Sequence, residues 1–148
     1  MDQSTIASNV KELPKLWQLD GLEPEAFIAY FKEQEAKVNE LLREYGALKF
    51  TNVQIDSMET FQHIVNAISS KFLSYIDGNS PRTKLSGNVY TSTEYDKSQY
   101  ITMHNELSYS AKWPNKLFFS CLIPSETGGE TLLAECRVGD DQCQFDVS

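Results

Sequence analysis

The stretch Tyr100-Ile101-Thr102-Met103-His104-Asn105-Glu106 places an imidazole and a carboxylate two positions apart in a run that favours a strand. Side chains two positions apart in a strand emerge on the same face, about 6–7 Å from each other. His104 and Glu106 can therefore both reach one metal ion held about 2 Å from each donor atom. An imidazole and a carboxylate on one edge of a metal are two of the three protein ligands in facial-triad, non-haem iron(II) sites.

The spacing of His104 and Glu106 is also open to a second interpretation. Such a pair is common by chance, and a strand histidine beside a glutamate is usually a surface pair. Strand alternation turns Asn105 away from any metal that its two neighbours bind, so we assign it no chemical role. On these residues alone, a metal site and an exposed pair both remain possible.

Strand-forming runs separated by turns flank this stretch from residue 82 to residue 135. No helical period is present in this part of the chain, and short apolar runs alternate with turn residues instead. We predict strands over 86–92, 100–106, 116–123 and 130–135, with a turn at Pro124-Ser125-Glu126-Thr127-Gly128-Gly129.

Residues 24–76 carry helical periodicity instead. One helix is predicted to begin at Pro24 and to end before Gly46, and a second to follow a capping box of Asp56 and Glu59. Each helix has one apolar face. The faces consist of Phe27, Phe31, Val38, Leu41, Leu42 and Tyr45 in the first helix, and Phe61, Ile64, Val65, Ile68, Phe72 and Ile76 in the second.

A short strand is predicted over residues 47–51, between the two helices, with Leu48 and Phe50 on one face. Residues 1–23 are polar with a few apolar anchors, and we expect them to lie over the surface. Two helices followed by a run of strands predict an α+β or mainly β domain in which the helices pack outside a sheet or barrel.

The composition limits the possible partners and the cellular setting. Thirteen basic and 21 acidic residues give a net charge of −8, which argues against nucleic acid and anionic membranes. Cys121, Cys136 and Cys143 contain no CxxC pair, so neither a disulfide framework nor a structural zinc site is indicated. With no apolar run of membrane-spanning length, we expect a soluble protein in the reducing cytoplasm. The oligomeric state is left open.

Several segments taken together resemble the taurine dioxygenase superfamily (TauD/TfdA, clavaminate synthase-like), in particular its branch of hydroxylases from non-ribosomal peptide pathways such as that of syringomycin. The resemblance covers most of residues 20–137, and its most specific parts are His104-Asn105-Glu106 and Gly128-Gly129-Glu130-Thr131. It implies a double-stranded β-helix, a jelly-roll relative. Here that fold would be incomplete, with two N-terminal helices outside it. The expected organisation is a surface segment over 1–23, the N-terminal part of an oxygenase domain over 24–137, and a divergent, loose tail over 138–148 from truncation or a frameshift.

The resemblance also implies roles for individual residues. His104 and Glu106 would be the first two iron(II) ligands, and Thr131, 27 residues after His104, would bind a carboxylate of the co-substrate 2-oxoglutarate. Gly128 and Gly129 would form the tight turn that delivers Thr131. Relatives that halogenate carry a small residue in place of Glu106, so the glutamate favours hydroxylation. No catalytic residue beyond the metal ligands is implied.

The family completes its iron site with a second histidine and an arginine from far downstream. The only other histidine of this chain, His63, falls on the polar side of the second predicted helix and does not match that ligand. An incomplete barrel would also expose Phe118, Phe119, Leu132 and Leu133.

We therefore expect a 2-oxoglutarate-dependent hydroxylase acting on a small molecule, such as a free or carrier-bound amino acid, in a truncated form that is inactive alone. The first alternative is a non-catalytic remnant or binding module of the same fold. The second is an unrelated α+β interaction protein, in which His104 and Glu106 form a surface pair.

Overall fold

The computed structural model describes residues 12–73, 82–87, 89–91, 96, 98, 104–105, 111–135 and 144–146. The helices within these ranges are α1 (Pro24–Glu33), α2 (Glu35–Tyr45) and α3 (Met58–Ile68). The strands are β1 (Lys15–Leu22), β2 (Leu48–Val53), β3 (Lys84–Ser86), β4 (Val89–Tyr90), β5 (Leu133–Glu135) and β6 (Gln144–Asp146). None of these helices is long and apolar enough to cross a bilayer.

The strands β1 and β2 lie parallel and are connected through α1 and α2, because parallel neighbours need a crossover between them. Trp17 pairs with Phe50 in this ladder, and the register shifts between residues 18 and 22. Asn52 adopts a left-handed φ of 61° at the irregularity. Its side-chain amide donates to the carbonyl of Leu19 at 2.8 Å, so a side chain satisfies this acceptor where the ladder is irregular.

The N-terminal segment differs from the expectation that residues 1–23 lie over the surface. Residues 15–22 form β1, and Leu19 is buried in the core while Trp17 packs against it. These two side chains are two positions apart and therefore share one face of the strand. Local polarity did not indicate this strand because its partner, β2, lies 33 residues further along the chain, as the pairing of Trp17 with Phe50 shows.

The first predicted helix is divided at Gln34 into two helices, α1 and α2. Gln34 has φ −92° and ψ 9° and serves as the C-cap of α1 and the N-cap of α2. Its N–H donates to the carbonyl of Tyr30, and its own carbonyl accepts from the N–H of Val38, each at 2.9 Å. No apolar residue of the stripe lies between Phe31 and Val38, so packing does not hold a straight helix there. The predicted end is confirmed by Gly46, the C-cap with φ 81°.

The N-cap of α3 lies one residue after Asp56, the N-cap that the predicted capping box implies. Ser57, not Asp56, is the N-cap, and its hydroxyl accepts a hydrogen bond from the N–H of Thr60 at 3.1 Å. The hydroxyl of Thr60 in turn donates to Asp56 at 2.8 Å and lowers the pKa of that carboxyl below its usual value. Glu59 still lies in the first turn, where a carboxylate suits the helix dipole.

The same helix is also shorter than predicted. It ends at Ile68, so Phe72 lies outside it and is exposed, while Ile76 lies outside the described residues. Ser69 caps the end and Ser70 follows it. Serine side chains compete for backbone hydrogen bonds, which favours ending a helix over extending it.

The core lies between the three helices and the β1–β2 pair, and Phe50 of β2 is its aromatic centre. The Phe50 ring lies 5.3 Å from Trp17, 5.4 Å from Phe27 and 5.9 Å from Phe31, measured between ring centroids. Trp17 Nε1 donates to Tyr30 Oη at 3.2 Å, so the indole N–H is not left unpaired. The buried members of the cluster are Leu19, Phe27, Ile28, Phe31, Val38 and Ile64.

The strand predicted over 47–51 is confirmed as β2, whereas the one predicted over 86–92 is wrong as a single strand. Residues 84–86 and 89–90 form an antiparallel hairpin, β3–β4, because Gly87 adopts φ 51° between them. The positive φ favours glycine at position 87, since L side chains rarely adopt that conformation. Residues 88 and 92 lie outside the described ranges.

The later strands are the largest departure from the prediction. Residues 116–123 form no strand, and the strand predicted over 130–135 is reduced to β5. The tail predicted as loose contains β6, which pairs antiparallel with β5. The strands of the described ranges form three separate pairs, so the double-stranded β-helix implied by the resemblance is not outlined in this part of the chain.

Replacing Phe50 with alanine tests the aromatic centre. We expect Phe50→Ala to lower the free energy of unfolding by about 3 kcal/mol, because three aromatic neighbours lose their common contact. The matched control is Phe119→Ala, which removes an exposed ring and should cost less than about 0.5 kcal/mol. Urea unfolding followed by circular dichroism measures both. Equal losses for the two variants would contradict this description of the core.

Candidate metal centre

His104 and Asn105 are both exposed and belong to neither a helix nor a strand. Glu106 and the rest of the stretch 100–106 lie outside the described residues. The strand expected there is therefore not present at positions 104 and 105, and the shared face of His104 and Glu106 stays a prediction. An exposed imidazole remains suited to a metal, since its ring nitrogens are borderline donors that iron accepts.

Thr131 lies two residues before β5 and is exposed, so its hydroxyl is open to a ligand. Its neighbours Glu130 and Leu132 are exposed as well. The placement of Thr131 beside His104 and Glu106 stays a prediction, because Glu106 lies outside the described residues.

The turn predicted before Thr131 is present. Residues 126 and 127 form a bend, and Gly128 and Gly129 follow with φ 67° and 83°. A Cβ built at Gly129 would lie 2.5 Å from Ser125 Oγ, a distance that real side chains do not reach. Both the left-handed backbone and the close approach therefore require glycine at 129.

His63 is exposed on α3, as the helical period predicted. The period did not reveal its partner: His63 Nε2 lies 2.6 Å from Glu25 Oε1, in the first turn of α1. A contact between residues 38 positions apart leaves no local signal in a sequence. This contact links α3 to α1.

Asp96 is engaged in a local turn. Its Oδ1 accepts both the Ser98 hydroxyl at 2.6 Å and the Ser98 N–H at 2.9 Å. These hydrogen bonds, the hydroxyl first, lower the pKa of Asp96. The carboxylate is thus used as a turn acceptor. Among the residues that the structure describes, no group of three histidine, cysteine, aspartate or glutamate side chains could hold a metal ion.

The segment of residues 111–132 is attached to the helical layer by a contact that sequence reasoning missed. Lys116 Nζ donates to Asn39 Oδ1 of α2 at 2.7 Å, across 77 positions of sequence. No motif or period marks either residue. The contact places the segment that precedes the Gly128-Gly129 turn against α2.

Comparison with known proteins identifies the chain's relatives. Residues 9–137 match the family described as Taurine catabolism dioxygenase TauD, TfdA family. A clavaminate synthase-like protein of Arabidopsis thaliana is 36% identical over 105 residues, which is 71% of this chain and 32% of the relative. A dapdiamide synthesis protein of Enterobacter agglomerans is 33% identical over 98 residues, 66% of this chain and 30% of the relative. The chain thus spans about a third of the length of these relatives. No solved structure gives a significant match.

Substituting Gly129 with alanine tests the turn. The left-handed backbone alone costs about 1–2 kcal/mol for an L residue, and contact with Ser125 adds to that cost. Gly21→Ala is the matched control, because Gly21 has a similar φ of 72° and open space around its Cβ position. We expect Gly129→Ala to weaken hydrogen-exchange protection of the β5 amides, and Ser125→Gly to restore part of it. Unchanged protection in Gly129→Ala would refute the close approach.

Proposed function

The chain belongs to the TauD, TfdA family, and from that premise we propose that it carries the first iron(II) ligands of a 2-oxoglutarate-dependent hydroxylase. The observation that supports this most directly is that His104-Asn105-Glu106 and Gly128-Gly129-Glu130-Thr131 both fall within the matched residues 9–137. Family and relatives indicate an oxygenase of the iron(II) and 2-oxoglutarate type. Assignment to this particular chemistry and to particular residues is our proposal.

In this proposal each residue has a defined task. His104 and Glu106 hold the ferrous ion, and the hydroxyl of Thr131 binds a carboxylate of 2-oxoglutarate. The bound metal and co-substrate supply the oxidation, in which one atom of O₂ converts a substrate C–H to C–OH while 2-oxoglutarate yields succinate and CO₂. His104 and Thr131 are both exposed, and the Gly129 turn fixes the backbone before Thr131. In this proposal Glu106 would fill the metal position that a small residue leaves open in halogenating relatives, which favours hydroxylation.

The substrate is proposed to be a small molecule, such as a free or carrier-bound amino acid. Resemblance to hydroxylases of non-ribosomal peptide pathways supports this class, as does the relative named for dapdiamide synthesis. The net charge of −8 argues against nucleic acid or an anionic membrane as the partner. The exposed Cys121 is a free thiol, and together with the absence of a CxxC pair it supports a reducing, cytoplasmic setting.

We further propose that these 148 residues do not turn over alone. A facial triad needs three protein ligands, and the chain has two histidines, of which His63 is engaged with Glu25. In this proposal a second histidine and the arginine that pairs with 2-oxoglutarate would lie outside these 148 residues. The alternative is a non-catalytic remnant or binding module of the same fold, which the short, separate strand pairs favour.

Anaerobic iron(II) titration tests the assignment of His104. We expect weak binding by the chain, since two ligands hold iron poorly, and loss of that binding in His104→Ala. His63→Ala is the matched control, because it removes the other exposed histidine and should leave iron affinity unchanged. Equilibrium dialysis with metal analysis measures all three proteins. Iron binding that survives His104→Ala, or that is lost in His63→Ala, would overturn the assignment.

Joining residues 1–137 to the remaining C-terminal part of the Arabidopsis relative tests the role of Thr131. We expect iron-dependent succinate release by this hybrid and a rise of about 10-fold or more in the KM for 2-oxoglutarate in Thr131→Val, since a hydrogen bond to a charged group is lost. Thr131→Ser should retain the wild-type value, and Thr127→Val, in the same exposed loop, should be neutral. Failure to release succinate with a broad panel of amino acids would favour the non-catalytic remnant.

A further inference from the structure

The strand β1 contains the dipeptide Asp20-Gly21 at the point where its pairing is irregular. The register of the β1–β2 ladder shifts between Gln18 and Leu22. Residues 19–21 of β1 lie there opposite Asn52 of β2, three residues against one. An excess of residues on one strand is a bulge, at which the regular ladder hydrogen bonds are interrupted. The dipeptide therefore lies where the partner strand holds the backbone of β1 least.

Both residues of this dipeptide are also exposed to solvent. Gly21 has a φ of 72°, and a Cβ built on it would have no atom of a non-adjacent residue within 4 Å. The space beside the Gly21 backbone is therefore open. Glycine has no side chain of its own to shield its peptide nitrogen, so this nitrogen is accessible to the Asp20 side chain.

We propose that Asp20 is a site of spontaneous conversion to isoaspartate in the folded protein. The peptide nitrogen of Gly21 attacks Cγ of the Asp20 carboxylic acid. An N–Cγ bond forms, and the amide hydrogen leaves with the acid hydroxyl as water. Water then adds to the main-chain carbonyl carbon of the cyclic imide and breaks the bond from that carbon to nitrogen, so that the chain continues through Cγ.

This chemistry needs no further reactant. The water lost in the first step is regained in the second, and no atom is oxidised or reduced. Neither His104 nor Thr131 takes part, so the inference goes beyond the proposed function and does not rest on it.

Two other aspartates of the described ranges have carboxylates that are engaged by their neighbours. Asp56 accepts a hydrogen bond from the Thr60 hydroxyl at 2.8 Å, and Asp96 accepts one from the Ser98 hydroxyl at 2.6 Å. These hydrogen bonds lower the pKa of both carboxyl groups. Because the attack proceeds on the acid form, the contacts oppose it. The residue after each of these aspartates also carries a side chain, which Gly21 lacks.

Isoaspartate at position 20 would disturb the end of the β1–β2 pair. Its main chain runs through Cβ and Cγ and is longer by a carbon atom, which enters the chain just before Gly21 and Leu22. The carbonyl of Leu22 accepts from the N–H of Gln54 at 2.9 Å, and Leu22 packs against the core. The added length should therefore weaken this hydrogen bond, whereas the pairing of Trp17 with Phe50 lies before the change.

Ageing of the full 148-residue chain at neutral pH and physiological temperature tests the proposal. We expect isoaspartate to accumulate at Asp20 in the folded chain, at a rate within about 10-fold of that in guanidinium chloride, because the bulge leaves the nitrogen accessible. Peptide mapping by electron-transfer mass spectrometry locates the isoaspartate. Methylation by a protein isoaspartyl carboxyl methyltransferase measures its amount. Hydrogen exchange of the aged protein should show weaker protection of the Gln54 amide.

Two substitutions identify the reacting groups. Asp20→Glu keeps the charge at an exposed position but requires a larger ring for the same attack, so isomerisation there should fall at least about 10-fold. Gly21→Ala places a methyl group beside the attacking nitrogen and should slow the reaction by a similar factor, both in the folded chain and in guanidinium chloride. Circular dichroism before ageing establishes that the variants keep the helical content of the wild type.

The rate in guanidinium chloride decides between an accessible and a protected dipeptide. A folded-state rate at Asp20 more than about 10-fold below that rate would show that the strand protects the nitrogen, and would overturn the proposal. Isoaspartate found only at Asp56, or only at the second Asp-Gly pair, Asp77-Gly78, outside the described residues, would overturn it as well. Isomerisation at position 20 that persists unchanged in Gly21→Ala would exclude attack by this nitrogen.

Discussion

The parallel pairing of β1 with β2, reinforced by the tilted contact between the Trp17 and Phe50 rings, is the constraint on which the rest of the described structure depends. Parallel strands must be bridged by a crossover, and α1 and α2 supply it, so the aromatic face of α1 is brought onto Phe50. The helix α3 then closes the other side through Ile64. The segment of residues 111–132 lies outside this unit and is joined to it by the hydrogen bond from Lys116 to Asn39.

The sequence predicts those features that depend on residues close to each other along the chain, within one or two helical turns. Apolar spacing located α1, α2 and α3, and Gly46 marked a helix end. The apolar spacing does not fix where a helix begins or ends. The break at Gln34 and the N-cap at Ser57 depend on local backbone preferences that this spacing does not contain. The strand β1 was missed because its apolar face is defined only by a partner far along the chain.

The later strands and the predicted site depend even more on residues far apart along the chain, so they are harder to predict from local sequence. A strand-like composition over 116–123 predicted a strand, but a strand forms only when its backbone groups find a partner. The turn at Gly128 and Gly129 is predictable because the backbone preference of glycine is local. The predicted meeting of His104, Glu106 and Thr131 would depend on pairing between distant strands, so the motif could indicate the chemistry but not the geometry.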